Sequence, residues 1–164
     1  MKKVVWSGIL LSSLLCAAGV QPVHDSTYIK ECGSCHFAFQ PGLLPQRSWK
    51  KIMNNLENHF DTDASLDEKS RSYLLKYMVT HSSNHAMEYK RSRKITYSIA
   101  PNQTPIQVTK TPYFIRKHRR IKPRMITQKE VGSISNCTAC HAGAKSGDYG
   151  EHAVKIPNYR NYDD

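Results

Sequence analysis

Apolar residues recur at helical spacing in two stretches of the chain, and this pattern predicts a mainly helical protein. In the first stretch the apolar positions are Trp49, Ile52, Met53, Leu56 and Phe60. Their i, i+3, i+4, i+7, i+11 spacing describes one face of a helix that begins at an N-cap, Ser48, and continues through Phe60. The second stretch predicts a helix from about Leu66 to His81. Its inward-facing positions are Tyr73, Leu74, Tyr77 and Met78.

The segments between these stretches carry weaker signals. Residues 27–39 favour a helix or turns, and the Pro-Gly-Leu-Leu-Pro run at 41–45 favours a rigid loop. Residues 82–111 are polar and irregular. Within them, the β-branched and aromatic residues at 95–99 predict a short strand.

The C-terminal third predicts two further helices. Thr111 and Pro112 have the residue types of an N-cap and a first helical position, for a helix that reaches about Ile121. A last helix is predicted around residues 137–141, ending near Gly147. Together these segments predict a mainly α fold with long irregular loops and little or no β-sheet.

The first 18 residues have the pattern of a signal peptide. Residues 1–3 are Met-Lys-Lys, residues 4–15 are mostly apolar, and the small residues at 16–19 suit cleavage after Ala18 or Gly19. A transmembrane anchor is disfavoured because a span needs about 20 apolar residues. We therefore expect a soluble protein exported to the periplasm, without a membrane span once the signal peptide is removed.

Lipid attachment is an alternative use of this segment. Cys16 would be the modified residue, but the bulky Leu15 stands where a small residue usually precedes such a cysteine. The division expected along the chain is therefore a signal peptide at 1–18, an N-terminal region at 19–85 and a C-terminal region at 86–164.

Composition adds a strong positive charge. The 164-residue chain has 24 Lys and Arg against 13 Asp and Glu, and loss of Lys2 and Lys3 with the signal peptide leaves a net charge of +9. This length supports one compact domain or two very small ones and excludes a large multidomain enzyme. The charge alone suggests a nucleic-acid or membrane-surface binder, but the cysteines indicate different chemistry.

Four cysteines remain after the signal peptide, and they form two Cys-x-x-Cys pairs. Each pair is followed directly by histidine, in Cys32-Gly-Ser-Cys35-His36 and Cys137-Thr-Ala-Cys140-His141. This is the attachment motif of c-type haem. Two thiols on one helical turn form thioethers with the haem vinyl groups, and the adjacent imidazole binds the iron. The sequence therefore predicts two haem c groups. The attachment residues are Cys32, Cys35, Cys137 and Cys140, with His36 and His141 as iron ligands.

Three other uses of the cysteines fit less well. Cys35 and Cys137 are 102 positions apart, whereas Cys pairs that share a zinc ion are usually about 15–20 residues apart. Thioredoxin-like chemistry needs one Cys-x-x-Cys within a βαβ unit, a pattern that this sequence lacks. Two small disulfide loops would leave both adjacent histidines unexplained.

Six further histidines are candidates for the second axial ligands: His24, His59, His81, His85, His118 and His152. His59 lies three residues after Leu56, on the predicted buried face of its helix, where an imidazole needs a polar partner. His118 lies four residues after Phe114, and it faces inward on the third helix. These two are the predicted distal ligands.

Other residues remain candidates for the distal ligands. His81 is the main rival, at the end of its helix, and the other three histidines lie in loops. Methionine is the other common ligand, but Met53 and Met78 are interpreted as core residues. Met87 and Met125 are interpreted as loop residues.

With these residues in view, the sequence resembles the small exported dihaem cytochrome c family. The resembling segments are Tyr28–His36, Leu43–Trp49, Leu56–Phe60, Thr111–Phe114 with His118, Asn136–His141 and Ile156–Pro157. The resemblance implies that both haems carry two histidines, and the matching distal positions are His59 and His118. It also implies electron exchange with redox proteins, such as a membrane b-type cytochrome or an oxygen-binding monohaem cytochrome. The family pattern continues His-Phe with Gly, where this chain has Asp61.

Electron transfer is the leading functional hypothesis, because two strong ligands on each iron leave no open position for a substrate. The alternative is a haem enzyme, or a gas or redox sensor, with one open iron position. A third class is a basic binding module, suggested by the cationic runs at 90–94 and 116–120. We expect no nucleic-acid partner for an exported haem protein, and docking to an acidic redox partner explains these runs better.

Overall fold

The computed structural model describes residues 19–160, so the predicted signal peptide lies outside the described residues. Short helices joined by turns and loops make up this part of the chain. They are α1 (Ser26–Cys32), α2 (Gln46–Met53), α3 (Glu68–Thr80), α4 (Lys90–Ser98), α5 (Pro112–His118), α6 (Pro123–Thr127) and α7 (Cys137–Cys140). The one isolated β-bridge recorded among residues 19–160 joins His141 to Val154. The predicted mainly α fold is confirmed. None of the helices within 19–160 has the length and apolar character needed to cross a bilayer.

Helix α2 begins earlier than predicted, at Gln46, and ends earlier, at Met53. Its N-cap is Pro45, so the prediction of Ser48 as N-cap is wrong, and Ser48 instead lies buried in the first turn. The helix ends at Met53 because the asparagines that follow compete with the helical backbone. The Asn55 side chain donates a hydrogen bond to a backbone carbonyl three residues on, at 3.1 Å. Phe60 consequently lies outside the helix, with 45% of its surface exposed.

Helix α3 forms close to the predicted position. Asp67 caps it by accepting a hydrogen bond from the Ser70 backbone N–H at 3.0 Å. Leu74 and Met78 are buried as predicted. Tyr73 is not, because its ring is 50% exposed while its hydroxyl donates to the Asp25 carboxylate at 2.5 Å.

The predicted strand at 95–99 is wrong, since α4 covers most of that segment. Ser92, Ile95 and Ile99 are buried, and their spacing places them on one face of a helix. Burial of this face against the rest of the protein outweighs the modest strand preference of the β-branched residues.

The C-terminal helices begin as predicted but are shorter. Thr111 caps α5 by accepting a hydrogen bond from the Phe114 backbone N–H at 3.3 Å, although the helix ends at His118 rather than near Ile121. Helix α7 ends at Cys140 and is followed by a 3-10 turn that closes at Gly147. The short helix α6 was not predicted.

Two apolar clusters hold these elements together. The first contains Tyr28, Leu44, Trp49, Met53, Leu56, Leu74 and Met78, from the N-terminal half. The second contains Val20, Leu43, Ile95, Ile99 and Tyr113, from both halves. Phe39 packs against both clusters. The division into regions 19–85 and 86–164 stays a prediction.

Candidate functional site

Helix α1 and the loop after it position the first Cys-x-x-Cys-His motif. Asp25 caps α1, and Cys32 is its last residue. Tyr28 is buried, and its hydroxyl donates to the backbone carbonyl of Phe39 at 2.5 Å. This hydrogen bond ties the helix to the chain beyond the motif, so the loop that carries Cys35 and His36 is held at both ends.

The structure places the His36 imidazole beside that of His59. The two ring centres are 6.1 Å apart and the ring planes differ by 23°. His36 Nδ1 lies 2.8 Å from the backbone carbonyl of Phe37. Because a carbonyl can only accept, Nδ1 carries the proton, and Nε2 keeps the lone pair that a metal ion requires.

A tight turn, rather than the predicted helix, carries His59. Leu56 anchors this turn in the first apolar cluster. The backbone N–H of His59 donates to the Thr62 carbonyl at 2.8 Å, and the Thr62 N–H donates back at 3.2 Å. Phe60 and Asp61 complete the turn with φ angles of 54° and 64°. Asp61 therefore occupies a left-handed position, where the family pattern has glycine.

The second motif lies on α7 and faces the end of α5. The ring centres of His118 and His141 are 6.2 Å apart, and their planes are crossed at 69°. His118 is the last residue of α5, and its Nδ1 donates to the Phe114 carbonyl at 2.9 Å. Its ring also stacks on the Phe114 ring at 3.8 Å. These contacts aim Nε2 of His118 away from its own helix.

A cavity of about 540 Å³ surrounds this second pair, within the range of about 300–1,000 Å³ that is usual for ligand pockets. Its lining includes Cys137, Cys140, His118, His141 and Tyr149. The cationic lining residues are Arg91, Arg116, Lys117, Arg119 and Arg120. The Tyr149 hydroxyl donates to the buried Gln40 side chain at 2.7 Å, which connects this cavity to the segment beside His36.

Burial shifts the pKa of several titratable groups of the two sites toward the neutral form. It lowers the pKa of His59 and of His118, and together with His118 it lowers the pKa of His141 to about 4. Burial raises the pKa of the Cys32 thiol to about 12 and that of Cys137 to about 11. Neutral imidazole is the form that binds iron, so the lowered pKa of His59, His118 and His141 favours the protonation state that ligation requires.

Both histidine pairs fit a shared metal ion. A metal ion binds an imidazole nitrogen at about 2 Å, and the ring centre lies about 1 Å behind that nitrogen, so two opposed imidazoles have centres roughly 6 Å apart. The separations of 6.1 and 6.2 Å match this value. In each pair one histidine follows a Cys-x-x-Cys segment, so the residues present fit two covalently attached haems.

The other candidate ligands lie elsewhere. His81, the main rival, stacks on Tyr77 at 4.4 Å and directs its Nδ1 to the Tyr77 carbonyl at 2.8 Å. Met53 and Met78 are core residues as predicted. Met125 is also fully buried, so its interpretation as a loop residue is wrong. His24, His85 and His152 are exposed.

None of the four cysteines of residues 19–160 is bonded to another cysteine. In the same part of the chain, no three His, Cys, Asp or Glu side chains are grouped closely enough to hold a metal ion by themselves. This arrangement does not support the disulfide loops or the shared zinc site considered as alternatives.

Sequence reasoning missed Gln40 and Tyr149 beside the sites, and it singled out Arg91 only as part of a cationic run. Arg91, Gln40 and Tyr149 are separated from the motifs by loops, so no local spacing connects them to the haem ligands. A helical interpretation of 90–98 would have shown that Arg91 is adjacent to the buried Ser92 on an otherwise cationic run.

Comparison with known proteins agrees with this geometry. The family described as dihaem cytochrome c matches residues 28–149. A solved diheme cytochrome c from Rhodobacter sphaeroides is 37% identical, covers 79% of this chain and 100% of its own, and has a TM-score of 0.69. A diheme cytochrome c from Shewanella baltica OS155 is also 37% identical, with coverages of 82% and 94% and a TM-score of 0.66. Curated proteins gave no match to this chain.

Proposed function

This chain belongs to the dihaem cytochrome c family and carries two haem c groups, and we propose that it transfers electrons between redox proteins. Each haem iron supplies a one-electron centre that alternates between ferric and ferrous states. The observation that carries the proposal is the pairing of four imidazoles, His36 with His59 and His118 with His141, at ring-centre separations of 6.1 and 6.2 Å.

The cysteines attach the haems in this proposal. Cys32 and Cys35 hold the first haem, and Cys137 and Cys140 hold the second, through thioethers that survive unfolding. Intact mass of the acid-denatured protein should therefore equal the processed polypeptide plus two haems. A mass equal to the bare polypeptide, or to the polypeptide plus zinc, would contradict the attachment.

Two histidines would hold each iron, His36 with His59 and His118 with His141. Hydrogen bonds to the Phe37 and Phe114 carbonyls orient His36 and His118, and burial lowers the pKa of His59 and His118, which favours their neutral form. A site with two strong ligands changes little between oxidation states and admits no substrate. These are the properties that a carrier needs and that an enzyme or sensor lacks.

Carbon monoxide separates the carrier from the alternative. Reduction by dithionite should consume two electrons per chain. The absorption spectrum of the reduced protein should then stay unchanged when carbon monoxide is added. Rapid formation of a carbon monoxide complex by either haem would favour an enzyme or a gas sensor with an open iron position.

We further propose that the protein works in the periplasm and is cleaved after Ala18. The Gly19 carbonyl accepts a hydrogen bond from the Arg91 backbone N–H at 3.1 Å, and the next residue, Val20, is buried in the second cluster. Cleavage after Ala18 keeps this contact, whereas cleavage after Gly19 removes it. N-terminal sequencing of the protein from a periplasmic fraction should begin at Gly19.

Redox proteins are the proposed partners, for example a membrane b-type cytochrome or an oxygen-binding monohaem cytochrome. The surface at Arg116–Arg120 supports docking to an acidic partner. Arg116, Arg119 and Arg120 are exposed, and all three line the cavity around the second histidine pair. Lys117 is paired with Glu151 at the edge of this surface.

A further inference from the structure

Arg91 is the least exposed of the cations that line the second cavity. It lies in the first turn of α4, and its side chain is half-buried, whereas the arginines of 116–120 are exposed. Its Nη1 donates to the Tyr113 hydroxyl at 2.8 Å. Its Nε is buried and has no hydrogen-bond partner within residues 19–160. A buried N–H donor without an acceptor is costly, and an anion is a strong acceptor for a guanidinium.

None of the ion pairs formed within the described part of the chain includes Arg91. The ion pairs recorded among residues 19–160 are Lys30–Glu31, Arg71–Glu68 and Lys117–Glu151. Glu151, the acidic residue in the cavity lining, is thus bound to Lys117. An anion that occupies the cavity would supply the acceptor that Arg91 Nε lacks.

Haem brings two carboxylates of its own, and the second haem lies in this cavity if His118 and His141 are its ligands. We propose that Arg91 binds a carboxylate of the second haem and thereby raises the reduction potential of that haem. A planar guanidinium with a free Nε–H suits two parallel hydrogen bonds to one carboxylate. Its fixed positive charge stabilises the ferrous state, which has one positive charge fewer than the ferric state.

The proposal rests on the ligation given above, so the tests of the two must be separable. A His59→Ala background leaves the second haem as the low-spin centre, and its potential can then be followed alone. If His59→Ala leaves both haems low-spin, the ligation is wrong whatever the Arg91 variants do. If it produces one high-spin haem, the Arg91 variants decide this proposal.

The matched variants are Arg91→Gln, Arg91→Lys and Lys94→Gln. Lys94 lies on the same helix but is exposed, so Lys94→Gln removes the same charge away from the cavity. In spectroelectrochemical titrations, Arg91→Gln should lower the equilibrium constant for reduction of the second haem about tenfold. This corresponds to a fall of about 59 mV in its one-electron reduction potential. Lys94→Gln should change this equilibrium constant less than about twofold. Arg91→Lys should keep it near the value of the unmodified protein, because lysine keeps the positive charge.

Infrared difference spectra of protein with ¹³C-labelled haem carboxylates test the contact itself. One labelled carboxylate band should move in Arg91→Gln and also in Arg91→Lys, because lysine cannot make the two parallel hydrogen bonds. No band should move in Lys94→Gln. Unmoved bands would overturn the contact even if the potential shifts. An effect of Arg91→Gln no larger than that of Lys94→Gln would overturn the influence on potential. If Arg91→Gln fails to retain two haems, the band in Arg91→Lys decides.

Discussion

The two haem regions share one attachment motif but differ in charge. Residues 19–85 carry seven Lys and Arg and seven Asp and Glu, whereas residues 86–164 carry 15 against six. The entire net charge of residues 19–164 therefore lies in the second region. Since fixed positive charge favours the reduced state of a nearby iron and attracts acidic partners, the same motif serves in two different electrostatic settings.

The surroundings of the ligands differ as well. The first pair has nearly parallel rings and lies among aromatic side chains, with Phe39 packed against His36 and Phe60 against His59. The second pair has crossed rings and lies in a cavity lined by cations. The motif thus determines where a haem is attached, while the elements brought by the fold determine its environment.

Removal of a distal histidine should have the largest effect. His59→Ala should convert about half of the oxidised haem to a high-spin form, because the thioethers and His36 still hold the first haem. His118→Ala should do the same at the second haem. Optical and electron paramagnetic resonance (EPR) spectra measure the high-spin fraction.

His81→Ala is the control for this experiment, since His81 packs on Tyr77 rather than on another imidazole. It should leave both haems low-spin. A high-spin haem in His81→Ala, together with a normal spectrum in either of the other variants, would show that the distal ligands are assigned wrongly.

Charge reversal tests whether the positive charge of the second region speeds electron transfer to an acidic partner. Arg119→Glu with Arg120→Glu should slow electron transfer to an acidic partner about tenfold at low salt, because surface charges act mainly on association rate. The difference should shrink near about 0.15 M salt, where the Debye length is about 8 Å. Stopped-flow kinetics over a salt series measure both effects.

The matched control lies in the neutral region. Lys50 and Lys51 are exposed on α2, and their replacement by Glu makes the same change in total charge. This variant should slow transfer much less. Equal slowing in both double variants would indicate a general charge effect rather than docking at the second haem. Electron-transfer rates that do not change with salt would indicate that the basic run is simply exposed to solvent.

The turns beside the two sites place different residue types in the left-handed conformation, glycine in the second region and aspartate in the first. Gly147, after the second motif, has a φ of 76°, and an added Cβ would lie 2.2 Å from the Val20 carbonyl oxygen. Gly147→Ala should therefore destabilise the protein by about 2–3 kcal/mol, through both strain and a backbone clash. Denaturant unfolding measures it, and a loss below about 0.5 kcal/mol would show that this contact is not rigid.

Asp61 in the first region should give the smallest effect. Its φ of 64° favours glycine, so Asp61→Gly should stabilise the protein by about 0.5 kcal/mol, relief of strain being partly offset by entropy of the unfolded chain. Asp61→Ala should destabilise it, because alanine visits this conformation less readily than aspartate. The prediction fails if the glycine variant unfolds at lower denaturant than the alanine variant.

The limits of sequence reasoning are clearest at His59 and α4. The haem motifs and the Thr111 cap depend on residues close in sequence, and local chemistry is sufficient to predict such features. His59 was placed on a helix that ends six residues earlier, yet the turn that replaces it still brings His59 to His36. Arg91 and Tyr149 reach the second site only through tertiary packing. The strand predicted at 95–99 was wrong because burial of one face of α4 outweighs the local strand preference.

The EPR spectrum of the fully oxidised protein tests the central claim most directly. Axial ligands control the electronic state of a haem iron, and crossed imidazole planes leave it more anisotropic than parallel planes do. The account predicts two low-spin ferric signals that together equal all the iron, the more anisotropic one from His118 and His141. That signal should disappear in His118→Ala. A high-spin signal in the unmodified protein would contradict bis-histidine ligation of both haems.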